Sequence, residues 1–434
     1  MNADTPNAFS FVFLAALAAS LAVRLWLATR QVAHVRTHRD AVPAAFAARI
    51  GISAHHKAAD YTVTKQHLGM LHAVVDAVVL CAMTLGGGLA AIVAWTGTLP
   101  GGPLVQDLAM FAAAAIVFGA ASLPFTWWHV FRIEERFGFN RMTMRLWVTD
   151  LVKGIAVVLV LGTPLLALVL WLMSAAGGAW WLWAWAAWMG FQLLVLVLYP
   201  TWIAPLFNKF TPMAHTPARE RIEALLARCG FRSAGLFVMD GSKRSGHGNA
   251  YFTGFGKAKR IVFFDTLLLR LAPDEIEAVL AHELGHFKRK HVAKRVLWSA
   301  LLSLAFLGIL AWLARAPWFH TGLGIPSAML PAIADRPGVS LELFLLALPV
   351  FTFLLEPVMA AYSRRHEFEA DAFATQHASA TALTAALVKL YEDNAATLTP
   401  DPMHSAFYDS HPPAAVRIAR IEASREDEPL PLAA

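Results

Sequence analysis

Residues 278–291 have the sequence AVLAHELGHFKRKH, in which two histidines lie four positions apart and a glutamate follows the first. A proline and several acidic residues precede this stretch, and basic residues end it, which suits the helix dipole and predicts one helix. His282 and His286 then share a helix face, with Glu283 beside it. Two such imidazoles can bind one metal ion, and the carboxylate can accept a proton from water on that ion. The alternative is a surface helix with two solvated histidines.

The composition places this helix in a membrane protein. Of 434 residues, 57% are hydrophobic and 15% are charged, whereas soluble domains have roughly 45–50% apolar and about 25% charged residues. A membrane-spanning helix needs about 20 mostly apolar residues. Seven runs approach that length: Phe9 to Ala28, Met70 to Trp95, Leu108 to Val130, Ile155 to Met173, Trp180 to Tyr199, Val296 to Leu313 and Leu341 to Ala361. The net charge of +6 comes from residues that flank these runs, so we expect no nucleic-acid partner.

The charges of the connecting segments predict how the chain is oriented in the membrane. The segments after the second and fourth runs, TGTLPGGPLVQD and SAAGG, contain no lysine or arginine. The basic residues after the first and third runs are Arg30, Arg36, Arg39, Arg49, Lys57 and Lys65, then Arg132, Arg136, Arg141, Arg145 and Lys153. Because basic loops stay in the cytoplasm, we predict an N-terminus outside and the helix of residues 278–291 on the cytoplasmic side.

A polar stretch between the fifth and sixth runs predicts an extramembrane domain. TPARERIEALLARCG has a helical period and ends in glycine. GLFVMDGS, NAYFTGFG and KRIVFFDTLL are β-branched or aromatic and predict a small sheet. The predicted fold is mostly α, with about seven transmembrane helices and a small α+β zincin-like domain. We divide the chain into 1–207 (helices one to five), 208–295 (the domain with the HELGH helix), 296–362 (helices six and seven) and 363–434 (the C-terminal part of that domain).

A third metal ligand is predicted just beyond the seventh run. A catalytic zinc site needs three protein ligands and an open position for water, and residues 363–377, SRRHEFEADAFATQH, supply carboxylates. Glu367 and Asp371 share a helix face, so Glu367 can bind the metal while Asp371 orients a ligating histidine. Glu369 points about 200° away from Glu367 and is the alternative ligand. Without the first motif, this stretch would be interpreted as a solvated charged helix.

These motifs belong to a longer ordered series. AVPAAFAARIGISAHHKAADYTVTKQH, YPTWIAPLFNKFTP, GSKRSGHGNAYFTGFGKAKRIVFFDTLL, HELGHFKRKH, SRRHEFEADAFA and DSHPPAAVRI follow one another along the chain. In this series the chain resembles the type I CAAX prenyl endopeptidases, membrane zinc proteases of the gluzincin group. The resemblance implies seven transmembrane helices around a chamber closed by the zinc domain. It also implies one zinc ion per chain on His282, His286 and Glu367, with Glu283 as general base and Asp371 behind the ligands, sometimes assigned as proton donor.

The resemblance further implies four substrate-binding residues. HGNAYFTGFG matches the family's edge strand, to which an extended peptide adds through backbone hydrogen bonds, with Asn249 and Ala250 nearest the scissile bond. His411 and Arg417 match a pair that can hydrogen-bond a developing oxyanion or a substrate carboxylate. Considered alone, the first segment would be an ordinary core strand and the second an ordinary helix lead-in.

We therefore expect an endopeptidase that cleaves membrane-associated or CAAX-type peptides, prenylated or not, in contact with membrane lipid. The Ala-rich and Trp-rich composition suggests a bacterial member in the inner membrane. Bacteria generally lack protein prenylation, so the alternative is a quality-control protease without prenyl specificity. A zinc-dependent transporter should show midplane ligands and inverted repeats, and a catalytically dead scaffold would lack Glu283. His72 and Asp76, inside the second run, either line the chamber or lie in water near the membrane boundary.

Overall fold

In the computed structural model of this protein, residues 6–231, 233–253 and 260–426 are described. Seven helical segments of this described part are long and apolar enough to cross a membrane, which confirms the number of spans predicted from the apolar runs. The spans are Ala8–Thr37, Ile52–Met83, Gly102–Glu134, Met144–Ala175, Gly177–Phe207, His291–Leu313 and Pro337–His377. The protein is mostly helical, as predicted.

The first five spans and their connections contain nine helices. These are α1 (Ala8–Thr37), α2 (Ala44–Ala47), α3 (Ile52–Met83), α4 (Gly88–Gly97), α5 (Gly102–Trp128), α6 (Met144–Val157), α7 (Thr163–Ala175), α8 (Trp180–Leu198) and α9 (Ala204–Phe207). The predicted second run is wrong in one respect, because it is two helices. The chain leaves α3 after Met83 and turns at Gly87, whose φ of 77° is a left-handed conformation that glycine adopts without steric cost.

Prolines shape two later spans. π-helical segments, Val158–Gly162 and Tyr199–Ile203, interrupt the fourth and fifth spans. Pro164 and Pro205 lie four residues beyond positions 160 and 201 of these segments. A proline lacks the N–H for the helical bond and clashes with the carbonyl four residues earlier, so a widened turn relieves the clash.

The extramembrane domain is built on a four-stranded sheet. Its strands are β1 (Phe210–Pro212), β2 (Leu236–Met239), β3 (Ala250–Thr253) and β4 (Arg260–Phe264), in the order β1-β2-β4-β3. β2 and β4 are parallel, and the other two pairs are antiparallel. Three strands match the predicted segments, although residues 254–256 of NAYFTGFG and residue 259 of KRIVFFDTLL lie outside the described residues. β1 was missed, because three residues ending in proline carry little strand signal.

The remaining helices complete this domain and the last two spans. They are α10 (Pro217–Arg228), α11 (Asp265–Leu268), α12 (Pro273–Lys288), α13 (His291–Leu313), α14 (Pro317–Gly322), α15 (Pro337–Thr352), α16 (Glu356–His377), α17 (Ala380–Asp393), α18 (Pro402–Tyr408) and α19 (Ala414–Glu426). Ile276, Leu280 and Leu284 form a buried stripe on α12 that packs into the domain core. The predicted boundaries at 295/296 and 362/363 fall inside α13 and α16, and the domain division stays a prediction.

Polar contacts attach the domain to one end of the membrane helices. Arg30 of α1 bonds to Asp401 at 2.9 and 3.2 Å, and Arg244 bonds to Asp150 of α6 at 2.8 and 2.9 Å. Deeper in the second span, His72 stacks on Phe125 of α5. Its Nε2 atom also lies 3.4 Å from Asp76 on the same helix. His72 thus contacts a neighbouring helix, and the place of this pair in a chamber stays a prediction.

Candidate active site

The site is formed where α12 crosses α16. A Cβ atom at Gly285 would lie 2.8 Å from the Cα of Ala370, closer than non-bonded Cβ atoms normally approach, and 3.1 Å from the Cβ of Phe373. Only glycine therefore allows the two helix backbones to come this near. The close approach presents the histidine face of α12 to the carboxylates of α16.

His282, His286 and Glu367 meet at this crossing. Each offers one ligand atom, and these atoms lie within 4.8 Å of one another. The Nε2 atoms of the two histidines are 3.2 Å apart, and they lie 3.4 and 3.3 Å from the two carboxylate oxygens of Glu367. Glu367 is 2% exposed. The structure thus brings together the three residues predicted as ligands, in an arrangement that could hold a metal ion.

Asp371 and Arg417 lie behind His282. The Nδ1 atom of His282 is 2.8 Å from Oδ1 of Asp371. Burial disfavours the charged imidazole, but hydrogen bonds to Asp371 and Glu367 outweigh it and raise the pKa of His282 to about 9. Arg417 donates to both oxygens of Asp371 and is 6% exposed. Because Arg417 is buried against Asp371, the geometry places it behind the ligands, and its predicted contact with substrate stays a prediction.

Glu283 and His411 border the open side of the cluster. Glu283 has no hydrogen-bond partner in the part of the chain that the structure describes. Burial raises the pKa of its carboxyl, although the neighbouring charges of His282 and His286 oppose this. The Nδ1 atom of His411 is 2.7 Å from Oε2 of Glu367, and its side chain is 63% exposed. His411 can therefore reach a ligand that enters from solvent, and Glu283 lies close enough to the histidines for their charges to act on it.

His286, the second predicted ligand, contacts another histidine that the sequence analysis did not assign to the site. Nδ1 of His286 lies 2.9 Å from Nδ1 of His291, and Nε2 of His291 lies 3.1 Å from Glu369. Glu369, the alternative ligand, therefore lies outside the three-residue cluster. The only sequence signal for this contact was the third histidine of HELGHFKRKH, placed five residues after His286.

Asn249 and Ala250 lie at the start of β3, which is an edge strand of the sheet. Among the described strands, β3 pairs with β4 alone, so its other edge has no strand partner. The side-chain oxygen of Asn249 accepts a hydrogen bond from the N–H of Ala250 at 2.8 Å. No hydrogen bond between described residues joins either residue to the metal cluster, so their place nearest a scissile bond stays a prediction.

The segment before β3 contacts the end of the third membrane span. The sequence analysis did not predict this contact. Nε2 of His247 is 3.3 Å from Glu134 at the end of that span, and Nδ1 is 3.0 Å from Asn394. Its ring also stacks on Phe139, and the N–H of Gly246 donates to the carbonyl of Phe139 at 3.0 Å. No local periodicity could have indicated these contacts, because the partners are distant along the chain.

Comparisons with known proteins agree with this architecture. A family profile described as CAAX prenyl protease N-terminal, five membrane helices, matches residues 31–209, and one described as peptidase family M48 matches residues 214–425. The CAAX prenyl protease 1 homolog of Oryza sativa is 37% identical over 321 residues, which are 74% of this chain and 74% of that protein. The chain belongs to the CAAX prenyl protease 1 family of M48 peptidases.

Further relatives support the same family. The Saccharomyces cerevisiae CAAX prenyl protease 1 is 34% identical over 330 residues, 74% of this chain and 72% of that protein. The crystal structure of S. mikatae Ste24p has a TM-score of 0.89 and 28% identity, and the match covers 96% of this chain and 100% of that chain. Membership of the CAAX prenyl protease 1 family confirms the prediction of an integral membrane metalloendopeptidase that uses a metal ion and acts on peptides or proteins. The named relatives are eukaryotic and lend no support to a bacterial source.

Proposed function

We propose that this protein is a zinc endopeptidase that cleaves CAAX-type C-terminal peptides, including those whose cysteine carries an isoprenoid. The observation that carries the proposal is the joint position of His282, His286 and Glu367 beside Glu283, whose side chain has no hydrogen bond to any described residue. The names of the relatives, CAAX prenyl proteases, support this substrate class.

The three predicted ligands fit zinc. Nitrogen and oxygen atoms bind zinc at about 2.0–2.2 Å in tetrahedral geometry, which separates neighbouring ligand atoms by about 3.3–3.6 Å. The two Nε2 atoms are 3.2 Å apart, and each lies 3.3–3.4 Å from a different carboxylate oxygen of Glu367. Two imidazoles and one carboxylate also match a common donor set of catalytic zinc, which leaves a fourth position for water. His282 must lose its proton to bind, and Asp371 can accept the hydrogen bond from its remaining N–H.

The residues of this chain suit a general-base mechanism. When bound, zinc would polarise the scissile carbonyl and lower the pKa of the attacking water. Glu283 accepts the proton of that water and returns it to the leaving amine nitrogen. His411, exposed beside Glu367, donates a hydrogen bond to the developing oxyanion.

Substrate binding is assigned to the free edge of β3. An extended peptide that adds to this edge gains backbone hydrogen bonds and a defined register. Asn249 and Ala250 stand at the start of that edge, and β3 packs against α12. Arg417, another of the predicted substrate-binding residues, lies behind His282 and donates hydrogen bonds to Asp371.

The orientation follows from the basic loops. The basic segments follow the first and third spans, whose ends contact the extramembrane domain. Arg30 of the first span bonds to Asp401, and Glu134 of the third span contacts His247. Since basic segments stay in the cytoplasm, we place the active-site domain there and the N-terminus outside. The spans would enclose a chamber that this domain closes. A bacterial inner membrane is the location proposed from composition.

Two peptides of identical sequence test this function. One ends in a farnesylated cysteine motif and the other in the unmodified motif, and the purified full chain in detergent is incubated with each. We expect cleavage of the farnesylated peptide, its loss with phenanthroline and its return with zinc. Equal cleavage of both peptides would favour a quality-control protease, and cleavage that phenanthroline does not affect would overturn the zinc mechanism.

A further inference from the structure

In both histidines of the proposed zinc site, the Nε2 atom faces the carboxylate of Glu367. A neutral imidazole that binds a metal through one nitrogen carries its proton on the other, and that N–H needs an acceptor to hold the ring in place. His282 has a carboxylate acceptor, Oδ1 of Asp371, at 2.8 Å. The Nδ1 atom of His286 faces a second imidazole nitrogen instead, Nδ1 of His291 at 2.9 Å.

We propose that His291 and Glu369 together form the positioning pair for His286. Two ring nitrogens at this distance need one N–H and one lone pair between them. If His286 binds zinc through Nε2, its Nδ1–H donates to Nδ1 of His291. The proton of His291 then lies on Nε2, where Glu369 accepts it at 3.1 Å. The carboxylate of Glu369 thus selects the tautomer of His291 that can hold His286.

The fold places His291 for this role. Arg289 and Lys290 form the two-residue turn between α12 and α13, and Lys290 adopts a left-handed conformation with φ 57°, so the chain turns back toward the site. His291 is 0% exposed and stacks on His366, with ring centroids 3.9 Å apart and an interplanar angle of 9°. A buried imidazole that is stacked on one face and held at both nitrogens is restrained from rotating away from His286.

The pair also joins three elements that must stay in register. His286 lies on α12, His291 begins the sixth span and Glu369 lies at the end of the seventh span. Glu369 is compensated at the surface by Arg365 at 3.5 Å and Lys294 at 3.8 Å. It therefore keeps its charge without approaching the metal ligands, which explains why it is not the third ligand.

Zinc affinity measures this role directly, without peptide cleavage. The full chain in detergent competes for zinc with a chromophoric chelator, and the visible spectrum of the cobalt-substituted protein reports the ligand geometry. We expect His291→Phe and Glu369→Leu each to weaken zinc binding by about 10–100-fold, as loss of an orienting partner does. Glu369→Gln keeps an acceptor oxygen and should recover most of the affinity that Glu369→Leu loses.

A double variant tests whether Glu369 acts on His286 through His291 or whether the two residues affect zinc binding independently. If Glu369 acts through His291, the pair His291→Phe and Glu369→Leu together should bind zinc no more weakly than His291→Phe alone. His377→Phe, on α16 but stacked on Phe373 away from the ligands, is the control and should keep the parental affinity. Multiplied losses in the double variant, or parental affinity and cobalt spectrum in His291→Phe, would overturn the proposal.

The proposal rests on the zinc site of the proposed function, and the same titration distinguishes the two. If the parental chain binds no zinc, the proposed function fails, and this inference fails with it. If the parental chain binds zinc and the variants bind equally well, only the positioning role fails. Should His291→Phe not fold, Glu369→Leu decides, because the Glu369 side chain is 31% exposed and its replacement leaves the core intact.

Discussion

Arg417 holds Asp371 through two hydrogen bonds, from Nε to Oδ2 at 2.8 Å and from Nη2 to Oδ1 at 2.6 Å. Asp371 in turn contacts His282, so the last helix of the described chain fixes a proposed zinc ligand through one intermediate residue. Arg417 and Asp371 are both buried. An isolated charge at either position would have neither solvent nor a partner.

Removing this arginine should destabilise the protein strongly. We expect Arg417→Ala to lower the free energy of unfolding by about 3–5 kcal/mol, because the buried carboxylate of Asp371 loses its arginine partner and keeps only its contact with His282. Thermal unfolding in detergent measures the change. Arg420→Ala, on the same helix but exposed over the ring of Phe368, should cost about 1 kcal/mol or less. Equal unfolding midpoints for the two variants would contradict the expectation.

Glu283→Gln should abolish cleavage and retain the metal. Glutamine cannot accept the proton of the attacking water, and loss of a general base lowers the rate by about 10²–10⁴-fold. The side chain has nearly the same shape, so the zinc content per chain should match that of the parent. Peptide cleavage and metal analysis of the same preparation test both parts. A variant that cleaves at the parental rate would exclude Glu283 as the base.

Gly285→Ala should separate the two helices of the site. The added methyl would meet Ala370 at 2.8 Å, and overpacking of this kind costs about 1–3 kcal/mol. Because the helices carry different ligands, we also expect weaker zinc binding. Gly69→Ala is the matched control in another helix, since a Cβ there meets nothing within 4 Å. Zinc affinity and the unfolding midpoint distinguish the variants, and a Gly285→Ala protein with parental values for both would refute the packing argument.

A buried ion pair joins the membrane helices at the end away from the extramembrane domain. Arg336 donates to Asp107 at 2.9 Å and to the carbonyl of Val93 at 2.9 Å, and Asp107 accepts the N–H of Gly338 at 2.7 Å. Arg336→Met should destabilise the protein by about 3–5 kcal/mol, because the buried carboxyl group of Asp107 loses its partner.

A second substitution tests whether that loss comes from the unpaired charge. Adding Asp107→Asn to Arg336→Met removes the charge and keeps an acceptor for Gly338, so the double variant should unfold at a higher temperature than the single one. Zinc content should not change in either, since the pair lies far from the proposed ligands. A double variant less stable than Arg336→Met would show that lost packing, rather than charge, decides stability here.

Local spacing accounts for the parts of the protein that sequence analysis predicted. Apolar runs near membrane thickness indicate spans, and a separation of four residues puts two side chains on one helix face. These rules sufficed for seven spans and for the shared face of His282 and His286, and they favoured Glu367 over Glu369 as a ligand, which stays a prediction. They failed where glycine at position 87 broke an apolar run, because hydropathy does not register a change of backbone conformation.

The sequence by itself thus determined which helices form and which face of each carries polar groups, since both follow from backbone geometry within a few residues. Only the tertiary structure decided which faces meet. Gly285 against Ala370 brings His282 and His286 to Glu367, and the left-handed turn at Lys290 brings His291 to His286. Such contacts depend on how distant segments pack, and that packing is the sum of many weak interactions that no single motif records.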